Sequence, residues 1–160
     1  MTNSVYRACC SCDRIKFFFK TSVPLSGWRV RFCDCSFCAD RIGHLYASDP
    51  LGSVKFEFTD CNEVRTYGHG TGTAVFVECA VCDAYMGAVT EINDQRLAVL
   101  NIQHLIEKPV LPEAYKLAWI GEDTQVRLQR RVATWTPVIE WGLGLALTPQ
   151  ASGNTNMGGK

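Results

Sequence analysis

Cys10-Ser11-Cys12-Asp13-Arg14-Ile15-Lys16-Phe17-Phe18-Phe19-Lys20 is the stretch on which the fold turns. It opens with two thiols two positions apart. It continues with a strict alternation: Ile15, Phe17 and Phe19 fall on one side of an extended chain, Lys16, Phe18 and Lys20 on the other. A two-residue period belongs to a half-buried strand and not to a helix. A cysteine pair that feeds directly into a strand predicts a mainly β domain with cysteines at the strand turns.

The same pattern recurs outward from this stretch. Cys33-Asp34-Cys35-Ser36-Phe37-Cys38 and Cys79-Ala80-Val81-Cys82 are the other two clusters, so seven of the nine cysteines are grouped. Zinc takes four protein ligands in a structural site, and three plus an open position in a catalytic one. Seven thiolates divide as four and three. The expectation is two zinc ions per chain, one closed and one able to bind something more.

Disulfides are the competing use of cysteine, and they require an oxidising compartment. Met1 to Arg14 contains no apolar core of a signal peptide. No stretch approaches the roughly 20 apolar residues of a membrane span. The run from Trp141 to Leu147 is too short and holds two glycines. A cytoplasmic, reduced protein is expected, with no membrane partner. Lys and Arg balance Asp and Glu at 16 each, which lacks the basic footprint of a nucleic-acid binder. Arg127, Arg130 and Arg131 are the one basic cluster, explained by a solvated face.

With 160 residues, 47% of them hydrophobic, the chain can build a core without staples. A single domain over residues 1–148 is expected, followed by a Gly-rich flexible tail over 149–160. Trp28 to Phe32 alternates and leads into the central cysteines. Val54, Phe56 and Phe58 repeat the strand period, and Thr73 to Val77 and Leu97 to Ile102 read as further β segments. Cys35 to Ile42 suggests one helical turn stopped by Gly43. Asp123 to Val132 is the best helix candidate.

The first and third clusters pair best with each other. On an extended backbone Cys10 and Cys12 share one face, and the two-residue gap from Cys79 to Cys82 lets a tight turn aim both sulfurs at one metal. Such turns favour a residue with positive φ just after the second cysteine. Asp13 and Asp83 stand there, and aspartate tolerates the left-handed region better than most residues. Cys9 remains a rival, because Cys9 and Cys12 also leave a two-residue gap. In the middle cluster, Cys33, Cys35 and Cys38 supply three ligands. Cys61, His44 and His69 are candidates for a fourth. Without one, the open position takes water or an incoming thiol.

The order Cys-x-Cys, Cys-x-Cys-x-x-Cys, Cys-x-x-Cys resembles the glutathione-dependent formaldehyde-activating enzyme family, which shares its domain with centromere protein V. The resemblance runs over roughly residues 7 to 120. The strand Arg14 to Phe19, Ser36, Gly43 and Leu97-Ala98-Val99-Leu100-Asn101-Ile102 support it. It implies β-sheets folded around zinc with few short helices. It also implies that Cys10, Cys12, Cys79 and Cys82 hold a structural zinc, and that Cys33, Cys35 and Cys38 hold a catalytic one. The implied activity is that of a carbon-sulfur lyase, joining a thiol such as glutathione to a small aldehyde such as formaldehyde, or splitting the adduct. The chain departs from the family at Asp13 and Asp83, where glycine is usual, and at Ala39-Asp40-Arg41, where basic residues are frequent. The alternative class is a non-catalytic zinc module in which a fourth ligand closes the middle site.

Overall fold

The computed structural model describes residues 2–33, 44–68, 74–117 and 123–142, without the side chains of Cys33, Cys61 and Leu117. The expected turn at Cys35 to Ile42 and the expected tail at 149–160 lie outside the described residues. The architecture is mainly β, as expected.

Eleven strands are present among the described residues: β1 (Ser4–Cys9), β2 (Ile15–Thr21), β3 (Arg31–Cys33), β4 (Tyr46–Ala47), β5 (Ser53–Phe58), β6 (Val64–Gly68), β7 (Val75–Cys79), β8 (Tyr85–Ile92), β9 (Gln95–Asn101), β10 (Tyr115–Leu117) and β11 (Thr136–Trp141). One helix, α1 (Thr124–Thr134), begins where Asp123 accepts a hydrogen bond from the Gln125 N–H, a side-chain N-cap. It covers the helical segment expected from Asp123.

β1, β2 and β5 form an antiparallel group, with Phe17 opposite both Ala8 and Phe56. β6, β7, β8 and β9 form an antiparallel meander, and β4, β3 and β10 extend it beyond β9. β11 joins the two groups. Its first residues, Thr136 and Pro137, pair antiparallel with β9, and Val138, Glu140 and Trp141 run parallel to β5, with an irregularity between Val138 and Glu140.

The core lies between these groups. Ile15, Phe17 and Phe19 of β2 and Val54, Phe56 and Phe58 of β5 are buried, and they pack with Val77, Met86 and Leu100 of the meander. This is the alternation expected at both strands. Burying each such side chain stabilises the fold by roughly 1.5–3 kcal/mol. On the other face of the meander a smaller cluster gathers Tyr46, Tyr85, Ala88, Leu97, Val99 and Trp135.

Two covered faces remove the alternation from β8 and β9, and β8 has no strand signature in the sequence. A bulge disturbs β8 further. Val77 pairs with Gly87 but Glu78 pairs with Tyr85, leaving Met86 as the extra residue. The slip sends Tyr85 and Ala88 to one cluster and Met86 and Val89 to the other. Gly87 has φ of 152°, and a Cβ there would sit 2.6 Å from the Val99 carbonyl oxygen. Gly87→Ala is therefore expected to destabilise the domain by at least about 2 kcal/mol. In thermal denaturation that is a fall in Tm on the order of 5 °C or more.

Candidate metal centre

The turns that close two hairpins make the site. β1 ends at Cys9 and β2 starts at Ile15; β7 ends at Cys79 and β8 starts at Tyr85. In the first turn the Cys10 N–H bonds the Ile15 carbonyl and the Asp13 N–H bonds the Cys10 carbonyl, both at 3.0 Å. The second turn repeats the arrangement: Cys79 to Ala84 and Asp83 to Cys79, both at 2.9 Å. Asp13 (φ 69°) and Asp83 (φ 65°) take the left-handed conformation that the turns demand. Cys10 and Cys12 are thus brought together by this turn and not by an extended backbone.

Cys10, Cys12, Cys79 and Cys82 have all four sulfurs within 4.8 Å of one another. Cys10 to Cys12 is 3.7 Å and Cys12 to Cys79 is 3.5 Å. A tetrahedron with metal-sulfur bonds of about 2.3 Å has edges of about 3.8 Å. The sulfurs therefore fit a tetrahedral metal, and four thiolates are the donor set that zinc takes in structural sites. Backbone N–H groups point at the sulfurs as well. Ile15 N donates to Cys10 Sγ at 3.3 Å, and Val81 N and Cys82 N donate to Cys79 Sγ at 3.4 and 3.5 Å.

Each turn is flanked by an arginine. Arg14 Nη1 donates to the Cys12 carbonyl at 3.5 Å and pairs with Glu63 at 2.8 Å; the nearby Cys12 side chain first, then Glu63, raise its pKa. Arg65 pairs with Glu78, whose carboxylate is buried, and with Asp83 at 3.1 Å. The thiols diverge accordingly. Burial pushes Cys79 up to about 12 and also raises Cys10. At Cys12 burial acts upward too, but hydrogen bonds from Arg14 and the neighbouring thiols outweigh it and bring the group down to about 6.

Cys9 stands apart from the four. Its Sγ donates to Asp13 Oδ1 at 2.6 Å, and burial together with that carboxylate lifts its pKa to about 11. The structure thereby separates the two rivals and places Cys10 in the cluster. Of the middle set, Cys33 ends β3 as backbone, and its side chain, together with Cys35, Cys38 and His69, lies outside the described residues. Cys61 opens a short 3-10 turn, its side chain also undescribed. The His44 ring packs on Tyr85, with centroids 4.7 Å apart. No second metal cluster is found among the described residues.

No protein-family model and no curated protein matches the chain. A crystal structure of a Rhodobacter sphaeroides protein, a structural-genomics target, is similar with a TM-score of 0.53 and 23% identity, over 69% of this chain and 99% of the other. That likeness concerns the fold alone. Among the described residues, no helix is long and apolar enough to cross a membrane.

All four sulfurs must be thiolates to bind a metal, so acid competes with it. Zinc entry at pH 7 is expected to displace protons from Cys10 and Cys79, read by calorimetry in two buffers of different ionisation enthalpy. Cys9→Ser should leave zinc stoichiometry unchanged, whereas Cys82→Ser should lower it by at least one ion per chain.

Proposed function

We propose that the protein is a zinc-dependent enzyme of carbon-sulfur bond chemistry, similar to the formaldehyde-activating enzymes. In this reading Cys10, Cys12, Cys79 and Cys82 hold a structural zinc, and Cys33, Cys35 and Cys38 are the catalytic ligands. The observation that carries it is the meeting of the four outer cysteines from two distant hairpins. The two turn residues that depart from glycine still adopt the positive φ of a metal knuckle. This supports the outer half of the arrangement that the resemblance implies. The three middle cysteines are then left as a separate set.

The reaction class is the addition of a thiol to a small aldehyde. A carbon-sulfur bond forms and the thiol proton passes to the carbonyl oxygen; the reverse splits the adduct. Zinc, when bound, supplies thiol deprotonation and carbonyl polarisation. The chain's own part is to hold the backbone of Cys33 at the end of β3, where it pairs with Leu117 of β10, while β4 pairs with β3 at Arg31. Glutathione is the family's nominal thiol.

A second reading, a non-catalytic zinc module, is favoured by a specific feature: the cluster that the described residues form already has four thiolates and no open position. Zinc content, measured before and after brief chelation with folding followed by circular dichroism, separates the two. The enzyme reading expects two zincs, one removable with the fold kept. Correspondingly, Cys35→Ser should abolish thiol-aldehyde adduct formation in a folded protein, while Cys82→Ser unfolds the domain. One inert zinc, or two that leave only with unfolding, would establish the module.

A further inference from the structure

A second cluster of chemistry lies at the end of β2 away from the cysteines. Arg29 and Arg31 converge on Tyr115, across the β3–β10 pairing. Arg29 Nη2 donates to the Tyr115 hydroxyl at 3.1 Å, and its guanidinium stands 5.6 Å from the ring centroid. Arg31 is the register partner of Tyr115, and its Nη2 donates to Ser48 Oγ at 2.7 Å. Ser48 in turn donates to the Thr134 carbonyl at 2.6 Å, so its proton is committed elsewhere. These partners are neutral. No carboxylate among the described residues pairs with Arg29 or Arg31. Burial first, then the charges of Arg29 and Arg130, push the Arg31 pKa down, with Tyr115 opposing them. A sheltered guanidinium beside like charges, with neutral partners alone, is an arrangement that an anion would relieve.

Next to it is a cavity of about 150 Å³ whose lining includes Phe19, Val23, Trp28 and Ala47, along with Arg29 and Ser48. The cavity is partly open and its lining mixes apolar with polar side chains; a volume of that order admits a body about as large as benzene. Asp49 also lines it. Its two carboxylate oxygens accept from the Thr21 hydroxyl at 2.6 Å and the Leu51 N–H at 3.0 Å. With that side chain on the lining, a ligand of single charge is the better fit, its carboxylate at the arginines and its uncharged body toward Asp49.

We propose that Arg29 and Arg31, together with this cavity, form a binding site for a small monocarboxylate with an apolar, ring-sized body. The planar guanidinium fork matches a carboxylate, and the apolar lining takes the body. The site uses none of the cysteines and stands whether or not the middle cluster is catalytic.

The test is titration of the full chain with phenylacetate, followed by nuclear magnetic resonance and calorimetry. Saturable binding is expected, weakened by about tenfold or more in Arg29→Gln and in Arg31→Gln. Circular dichroism of each variant checks the fold. Arg29 is exposed, so Arg29→Gln decides alone if the Arg31 variant does not fold. Benzyl alcohol has the same ring without the charge and should bind far more weakly. The proposal is overturned by absent binding, by unchanged affinity in folded variants, or by equal affinity for benzyl alcohol. Inorganic phosphate or glutathione outcompeting phenylacetate would also overturn it, since each would identify a different anion.

Discussion

The structure depends on four sulfurs meeting from two turns far apart in the chain. Cys12 and Cys79 are 67 residues apart. Closing a loop of that length costs on the order of 4 kcal/mol in chain entropy. A structural zinc in such a site contributes roughly 10–16 kcal/mol of apparent binding free energy, far more than the closure costs. With a metal bound, that clip would hold the β1–β2 hairpin against the β7–β8 hairpin. Once they are so placed, Ile15, Phe17 and Phe56 face Val77, Met86 and Leu100, and hydrophobic burial does the rest.

The cysteines tie one end of β2; a polar knot ties the other. Thr21, the last residue of β2, donates its hydroxyl to Asp49, and the Asp49 N–H bonds Thr136 Oγ1 at 2.7 Å. Thr21 and Thr136 are fully buried and Asp49 nearly so, so each group must find a partner within the protein. Thr136 is the first residue of β11, the strand that pairs with both β9 and β5. One residue, Asp49, thus links β2 to β11, its carboxylate holding Thr21 and its backbone N–H holding Thr136, about 20 Å along β2 from the sulfurs.

What the sequence revealed follows from which surfaces are covered. β2 and β5 are packed on one face, so their alternation was plain. β8 is covered on both faces and carries a bulge at Met86, and there the period vanishes. The Cys9 or Cys10 choice was in fact legible from parity. Arg7 marks the outward face of β1 and Ala8 the inward one, so Cys10 faces in with Ala8 while Cys9 faces out with Arg7. The Cys10–Cys12 turn was misread as extended backbone, because the spacing alone does not reveal the reversal that Asp13 makes. Arg29 and Arg31 gave no signal, since their meeting with Tyr115 depends on a parallel pairing 86 residues away.

Asp13 and Asp83 do more than tolerate the left-handed region. Asp13 accepts the thiol proton of Cys9, and Asp83 accepts from Arg65, which also grips Glu78 on the strand before the turn. Glycine in either place would take the same φ but would leave these contacts unmade. The aspartates therefore exchange glycine's freedom for two anchored turns. With Ile15, Val81 and Cys82 already donating N–H groups to the sulfurs, the chain itself holds the four ligands near tetrahedral spacing. Less reorganisation then remains for a metal to impose, and that favours a rigid, closed site over an exchangeable one.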